Sequence, residues 1–253
     1  MASSSDSLRF DMCCAARMLY RAGLSAANAG HISVTTGENQ MLVNRFGPSF
    51  ATLRPADILT VDFHGKVLEH DAGVDPYVNE TVELHGIIHR YNPQIVAVVH
   101  THPPAAITWS AFRRVPEVFD QESCILAGDV AVIAEDYTGL ASSEERNRPF
   151  AEALGKSAAV LLPNHGAITT GASVQLAMTR MVLLDGMCAR NIAVYSAARA
   201  TGFTPQAIKP DDALNARREL GRIPFLQPLW NDFLQRLRQT DPDLFAGSNA
   251  ARA

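Results

Sequence analysis

The chain has 253 residues, of which 47% are hydrophobic and 19% charged, and its formal net charge is −4. A chain of this length and apolar content can bury a large core without staples. Lysine and arginine form no basic run, which excludes the electrostatic footprint of a nucleic-acid-binding protein. No stretch approaches the roughly 20 apolar residues of a membrane span, and the first residues lack a signal-peptide pattern. We therefore expect a cytoplasmic protein without a membrane partner.

The first half of the chain predicts a helix, an antiparallel sheet and a second helix. Apolar positions recur at three- and four-residue steps over residues 7–22, which predicts an amphipathic helix that stops at Gly23. Short β-like runs follow at residues 31–35, 41–44, 58–63 and 67–68. Residues 78–91 have helical spacing, and the apolar, β-branched run at residues 95–99 predicts a buried strand.

The second half alternates predicted helices and strands. Helices are predicted at residues 103–112, 142–154 and 173–200, strands at 130–134, 158–162 and 167–170, and two helices broken by Pro224 and Pro228 at 211–241. Neither a repeat nor a linker divides the chain. We therefore predict one α/β domain over residues 1–253, with a helical C-terminal extension at residues 210–253.

Two histidines at the end of the predicted strand 95–99 are candidate metal ligands. In a strand, residues i and i+2 point to the same face roughly 7 Å apart, so His100 and His102 present two imidazoles side by side. A third imidazole from a distant turn would complete a site with open positions for substrate, and His165, between Asn164 and Gly166, is the candidate. An isolated His-x-His pair is more often hydrogen-bonded in a structural role than bound to a metal.

The segments around these histidines resemble the metal-binding signatures of the class II aldolase/adducin family. They read Val98-Val99-His100-Thr101-His102-Pro103 and Leu162-Pro163-Asn164-His165-Gly166-Ala167. The likeness extends over residues 30–34, 42–47 and 58–67 and into the long helix after Gly171, so that it covers roughly residues 8–200.

The resemblance implies a single three-layer α/β/α domain around a mainly antiparallel mixed sheet. It also implies a homotetramer with active sites near subunit interfaces. One divalent metal per subunit would be held by His100, His102 and His165, without an organic cofactor. Zinc or manganese is expected, and iron or cobalt also suits three imidazoles.

The sequence departs from the family members that cleave sugar phosphates. Those members carry Ser-Ser-Glu four residues ahead of the histidine that matches His85, and this Glu is their acid/base. Here the positions read Asn79-Glu80-Thr81, and a threonine cannot shuttle a proton as a carboxylate does. The phosphate-binding turns are also replaced, by Gly-His-Ile-Ser at residues 30–33 and Asn-Arg-Phe-Gly at residues 44–47. We therefore predict that an unphosphorylated acid is bound by three residues, Asn44, Arg45 and Thr81, with the planar fork of Arg45 clamping a carboxylate.

These departures resemble the branch of the family that decarboxylates hydroxy-substituted aromatic or pyridine carboxylates, which implies a role in aromatic compound catabolism. The metal would then act as a Lewis acid for the charge left when carbon dioxide departs. No base for C–H abstraction is required, but an acid must protonate the carbon. The candidates, in descending order, are His31, Glu80 and Tyr137.

Two other functions remain open from the sequence. A metal-dependent aldolase acting on a hydroxy-keto acid would need a carboxylate within reach of the metal. A non-catalytic, adducin-like binding module is opposed by the survival of all three ligands and by the absence of a Lys-rich tail before Ala253. His85 and His89 are predicted to be a hydrogen-bonded structural pair, because Gly86 stands where a metalloprotease helix would place its Glu.

Overall fold

The structure is a computed structural model that describes residues 4–26, 28–133 and 143–246. Its strands are β1 (His31–Gly37), β2 (Gln40–Asn44), β3 (Ile58–Asp62), β4 (Val67–Glu69), β5 (Ala97–Thr101), β6 (Val130–Val132), β7 (Ala159–Leu162) and β8 (Gly166–Gly171). Its α-helices are α1 (Ser4–Arg21), α2 (Val82–Tyr91), α3 (Pro104–Ser110), α4 (Glu144–Leu154), α5 (Val174–Thr201), α6 (Pro210–Leu220), α7 (Leu226–Thr240) and α8 (Pro242–Phe245).

The strands form one eight-stranded sheet in the order β4-β3-β2-β1-β5-β8-β7-β6. Neighbouring strands are antiparallel except for the parallel pair β6 and β7. Strand β5 lies near the centre, between β1 and β8, and all of its residues are buried. Its continuous apolar sequence is therefore that of a strand covered on both faces. The predicted α/β class with a mainly antiparallel mixed sheet is confirmed.

Helices cover both faces of this sheet. Ala97 and Val99 of β5 belong to a hydrophobic cluster shared with α1 and α5, whereas Val98 belongs to a cluster with Leu84 of α2 and Leu154 of α4. Because successive strand side chains point to opposite faces, these two clusters lie on opposite sides of β5. The result is the expected three-layer arrangement. Helix α2 lies on the face of the sheet toward which Val98 of β5 points.

Helix α5 runs along one face of the sheet. Ser173 accepts a hydrogen bond from the Leu176 N–H at 3.3 Å, and Gly202 ends the helix in the left-handed conformation, with φ 73°. Met181 and Leu184 are 0% exposed, and full burial of such a side chain contributes about 1.5–3 kcal/mol. The helix therefore owes its position to packing as well as to its caps.

Arg17 joins α1 to the chain segment after α7. Its side chain, 3% exposed, donates to Asp241 at 3.2 Å, to Asp243 at 2.8 Å and to the Leu53 carbonyl at 3.2 Å. Arg21 also pairs with Asp241, at 3.1 Å. Buried charges are tolerated only when they are paired and hydrogen-bonded, as these are.

Several element boundaries differ from the sequence-based expectation, and two of these differences have a clear local cause. Helix α2 begins at Val82 rather than at residue 78, because the Asn79 side chain accepts from the Thr81 N–H at 3.1 Å and forms a turn that competes with the helix. Pro228 lies in the first turn of α7, where its missing N–H removes no helical hydrogen bond, so only Pro224 marks the break. None of the described helices is both long and apolar enough to cross a membrane.

Candidate metal centre

His100 and His102 lie at the end of β5 on the face that α2 covers. They share this face with Val98, because side chains two residues apart along a strand point the same way. Their ring centroids are 5.1 Å apart. The sequence-based placement of two adjacent imidazoles at the end of a buried strand agrees with the structure.

The turn between β7 and β8 supplies the third histidine. Asn164 has φ 58°, a left-handed conformation that Asn adopts more readily than most residues, and its N–H donates to the Ser110 hydroxyl at 3.0 Å. This turn places the His165 ring centroid 5.0 Å from that of His100 and 4.9 Å from that of His102. Since β5 and β8 are antiparallel neighbours, a turn at the start of β8 lies beside the end of β5.

The three imidazoles fit a divalent metal ion. One nitrogen from each of His100, His102 and His165 lies within 4.8 Å of the others. The His100 Nδ1 donates to the Ala167 carbonyl oxygen at 3.0 Å, which leaves its Nε2 lone pair for a metal. The His102 Nε2 is buried and has no hydrogen-bond partner among the described residues, a cost that ligation would remove. Three neutral nitrogen donors are a typical open site for zinc and its first-row neighbours.

The protonation state of the three histidines suits ligation. Burial lowers the pKa of His165 to about 4, with the neighbouring His102 adding to the effect. Burial also lowers the pKa of His102, and it holds the pKa of His100 well below its usual value. All three rings are therefore neutral at pH 7, which is the form that binds a metal.

Gly166 allows β8 to approach the ligands closely. A Cβ at this position would lie 2.4 Å from the Thr101 carbonyl oxygen and 2.9 Å from Cδ2 of His102. Any larger residue would have to displace either the β5 backbone or the His102 ring. The glycine of the Asn-His-Gly segment is therefore required by close packing beside the site.

A carboxylate from α5 fixes the segment that follows His102. The Asp185 Oδ1 accepts from the N–H groups of Ala105 and Ala106, each at 2.9 Å, in the first turn of α3. Burial raises the pKa of Asp185, and the two N–H groups oppose that effect. Because α3 begins two residues after His102, this contact limits how far His102 can move.

His31 lies beside the three candidate ligands. It is the antiparallel partner of His100 in the β1–β5 pairing, and the two rings stack with centroids 6.0 Å apart. Its Nε2 is 3.5 Å from the Thr81 hydroxyl. Desolvation of the ring lowers the pKa of His31 to about 4, with His102 and His165 adding to the effect. Of the three residues predicted to act as an acid, His31 is the one that contacts the ligands in the described structure.

Asn44 and Arg45, predicted to bind substrate, both have partners within the protein. The Asn44 Oδ1 accepts from the Ile32 N–H at 2.8 Å, next to His31. The Arg45 Nε donates to Asp57 at 2.7 Å. The Asn44 side chain is 5% exposed, and its hydrogen bond holds the backbone of β1. The ion pair between Arg45 and Asp57 is partly exposed. A substrate role for either residue remains a prediction.

Three further residues were predicted to act in the site, namely Thr81, Glu80 and Tyr137. Thr81 lies next to His31, whereas Glu80 is exposed. Tyr137 lies outside the described residues. Among the described residues, the cluster able to hold a metal contains three histidines and no carboxylate.

Several residues that position the site were not found from the sequence. Ser110 and Asp185 carry no motif, and their roles depend on contacts between elements distant in sequence. Ser33 does lie in the Gly-His-Ile-Ser segment, where it bonds His85 at 2.8 Å and His89 at 2.9 Å. The expectation that His85 and His89 form a buried, hydrogen-bonded pair is confirmed.

The family is established by comparison with known proteins. Residues 10–192 match the family described as Class II Aldolase and Adducin N-terminal domain. This match spans most of the chain, and it includes β5, the β7–β8 turn and the three histidines that could hold a metal. The chain therefore belongs to the class II aldolase and adducin family, whose class II aldolases use a divalent metal.

The curated relatives include proteins that are named as decarboxylases. Decarboxylase NovR from Streptomyces niveus is 31% identical over 94% of this chain and 86% of its own length. The 3,4-dihydroxyphthalate decarboxylase of Arthrobacter keyseri is 29% identical over 88% of this chain and 91% of its own length. Among solved structures, an aldolase II superfamily protein from Pseudomonas syringae has a TM-score of 0.83 at 24% identity, covering 96% of this chain and 97% of that one. The solved structure supports the fold, and the two curated relatives indicate a lyase.

Proposed function

We propose that the protein is a divalent-metal-dependent decarboxylase of unphosphorylated hydroxy-aromatic or hydroxypyridine carboxylic acids. The observation that carries the proposal is the arrangement around the three ligands, where the adjacent acid–base group is the imidazole of His31 and the position of the aldolase Glu is held by Thr81. Decarboxylation requires no base for C–H abstraction, and an imidazole can return a proton to carbon. Two relatives named as decarboxylases support this choice.

His100, His102 and His165 would hold the metal, with zinc or manganese as the first candidates. When bound, the metal supplies Lewis acidity toward the negative charge that develops as carbon dioxide leaves, worth several kcal/mol. The Ala167 carbonyl and Asp185 keep two of the ligands in place by hydrogen bonds to His100 and to the start of α3.

His31 would move the proton. In its neutral form, Nε2 takes the proton of the substrate hydroxyl as that O–H bond breaks. The same N–H bond then breaks as a C–H bond forms at the carbon that loses carbon dioxide. The product oxygen regains a proton from water, so that the carboxylate and one proton yield the decarboxylated product and carbon dioxide. Thr81 would orient Nε2 through its hydroxyl, and Arg45, whose Nε donates to Asp57, would bind the carboxylate.

An aldolase acting on a hydroxy-keto acid is the second candidate, because the same metal site would serve it. It requires a carboxylate near the ligands, and the exposed Glu80 is the nearest sequence match to the aldolase Glu. A non-catalytic, adducin-like module is the third candidate. Retention of a complete three-histidine site opposes that candidate.

The test is carbon dioxide release from a panel of ortho-hydroxybenzoates, dihydroxyphthalates and hydroxypyridine carboxylates. The purified protein is treated with chelator and then restored with zinc or manganese, in air and without oxygen. We expect oxygen-independent release that requires the metal, is abolished by His165→Ala and is retained by His70→Ala, a matched change at an exposed histidine. Metal binding without release from any acid, together with cleavage of hydroxy-keto acids, would establish the aldolase instead.

The role of His31 is tested separately. His31→Gln should lower kcat by about 10²–10⁴-fold, because general acid–base groups contribute on that scale. Its metal content should stay at the wild-type level, since His31 is not one of the three ligands. Glu80→Gln should retain activity. A large loss of kcat in Glu80→Gln, together with an active His31→Gln variant, would show that the Glu80 carboxylate rather than His31 is the acid.

The expected assembly and location belong to the same proposal. We expect a homotetramer in the cytoplasm, which multi-angle light scattering and cell fractionation would check.

A further inference from the structure

A chain of hydrogen bonds runs behind His31, from the sheet into α2. The Ser33 hydroxyl is 2.8 Å from the His85 Nδ1 and 2.9 Å from the His89 Nε2. The His89 Nδ1 is 3.1 Å from the Ile95 carbonyl oxygen. Ser33 and His85 are both 0% exposed, and His89 is 3% exposed.

The direction of every bond in this chain follows from its last acceptor. A carbonyl oxygen only accepts, so the His89 Nδ1 carries a hydrogen and donates to Ile95. Burial lowers the pKa of His89 to about 4, so at pH 7 the ring is neutral and its Nε2 is a lone pair. The single Ser33 hydrogen must therefore point at His89, and the Ser33 oxygen accepts from the His85 Nδ1–H.

This assignment leaves the His85 Nε2 as a bare lone pair. It is buried and has no hydrogen-bond partner within the described part of the chain, and the same holds for the His31 Nδ1. The rings of His31 and His85 are neighbours, with centroids 5.7 Å apart and planes at 85°. The two nitrogens belong to neighbouring rings but do not bond each other in the structure as it stands. A reorientation of the rings that brought the nitrogens together would satisfy both if one carried a hydrogen, and only His31 is free to provide it.

We infer that His85 is the positioning residue for His31, with Ser33 and His89 holding it in a single tautomer. With the two rings turned toward each other, the His85 Nε2 would accept from the His31 Nδ1–H, and His31 would be fixed with its own lone pair at Nε2. That nitrogen is the one next to Thr81. Under the proposed decarboxylation, on which this one consequence rests, His31 then presents the atom that must take up the substrate proton.

The tautomer of His31 can be measured directly in the zinc-loaded protein. Long-range proton–nitrogen correlation spectra of ¹⁵N-labelled protein distinguish a protonated ring nitrogen from a bare one, and the His31→Gln spectrum identifies the His31 signals. In the wild type we expect the His31 Nδ1 to carry the hydrogen and Nε2 to be bare. A hydrogen on the His31 Nε2 would overturn the inference without any variant.

Ser33→Ala tests whether the chain fixes this state. Without the hydroxyl, the His85 Nδ1–H has no acceptor and both tautomers of His85 become accessible. We expect the single tautomer of His31 to be lost and its Nε2–H form to appear, although Ser33 does not touch the His31 ring nitrogens. Ser33→Thr, which restores the hydroxyl, should restore the wild-type signals. Unchanged His31 signals in Ser33→Ala would contradict the inference.

Ser123→Ala is the matched control, because Ser123 is also a buried serine, 2% exposed, whose hydroxyl donates to Asp120 at 2.5 Å, away from the site. It should leave the His31 tautomer unchanged. If Ser33→Ala does not fold, His89→Gln breaks the same chain one step further from His31. Tautomer control with no carbon dioxide release would leave this inference standing and refute the proposed function. Carbon dioxide release by a protein whose His31 tautomer does not depend on Ser33 would support the proposed function and refute this inference.

Discussion

The His100 Nδ1 and the Ala167 carbonyl oxygen are 3.0 Å apart across the β5–β8 pairing. The nitrogen donates, so the ring is fixed by backbone that belongs to the strand next to it. A ligand histidine held in this way presents its Nε2 to a metal and loses little rotational freedom on binding. The turn that carries His165 immediately precedes β8, so the same strand pairing positions two of the three candidate ligands.

Removal of one ligand should abolish tight metal binding. We expect His165→Ala to weaken zinc affinity by more than about 100-fold, which exceeds the loss typical of an outer hydrogen-bond partner. Equilibrium dialysis with elemental analysis measures the affinity, and His70→Ala, at an exposed loop position, should bind as the wild type does. If His165→Ala bound zinc stoichiometrically and with the affinity of the wild type, the assignment of His165 to the metal site would be wrong.

A methyl group at Gly166 should disturb the site through the backbone. Its Cβ would lie 2.4 Å from the Thr101 carbonyl oxygen, so Gly166→Ala should destabilise the protein by about 1–3 kcal/mol and weaken metal binding. A methyl group at Gly186, inside α5, would meet nothing within 4 Å, and Gly186→Ala should stabilise by about 0.5–1 kcal/mol. Urea denaturation of both variants checks the contrast. Equal free energies of unfolding for Gly166→Ala and Gly186→Ala would mean that β5 and β8 accommodate the added methyl group without loss of stability.

Asp11 should make stability depend on pH. Burial raises the pKa of Asp11 to about 6 from 3.8, although a hydrogen bond from Gln175 opposes the shift. The folded state therefore binds the proton more tightly, and this contribution is complete below pH 3.8 and is lost as the pH rises through about 6.

Asp11→Asn should consequently stabilise the protein at pH 8 by about 1–2 kcal/mol, a figure reduced for partial exposure, and have little effect at pH 4. Denaturation at the two pH values measures the difference. Glu152→Gln, at an exposed position on α4, is the control for the replacement of a carboxylate by an amide. Stabilisation that is equal at both pH values would refute the ionisation as its cause.

The buried ion pair between α1 and the segment after α7 should be sensitive to loss of one partner. Arg17→Leu leaves Asp241, itself 3% exposed, with one partner fewer, and we expect a loss of about 3–5 kcal/mol. Arg236→Ala breaks an exposed pair on α7 and should cost less than about 0.5 kcal/mol. Chemical denaturation compares them. Similar losses of unfolding free energy in the two variants would show that the Arg17 ion pairs contribute no more to stability than an exposed pair does.

Several features of the protein depend only on short-range periodicity and were predictable from consecutive residues. Alternation along β5 placed His100 and His102 on one face, because a strand repeats every two residues. The apolar spacing of residues 173–200 predicted α5 to within a residue at each end, and the Asn-His-Gly segment identified the turn that carries His165. Each of these depends on neighbours within one element or one turn.

Tertiary structure alone decided which distant residues meet. His31 is the partner of His100 only because β1 pairs with β5 in one register, and no local pattern in either strand specifies that partner. The same holds for Ser33 between His85 and His89, and for Asp185 at the start of α3. The physical reason is that strand pairing and side-chain hydrogen bonds between elements depend on the sum of many packing contacts over the whole sheet, whereas helix and strand periodicity is written into consecutive residues.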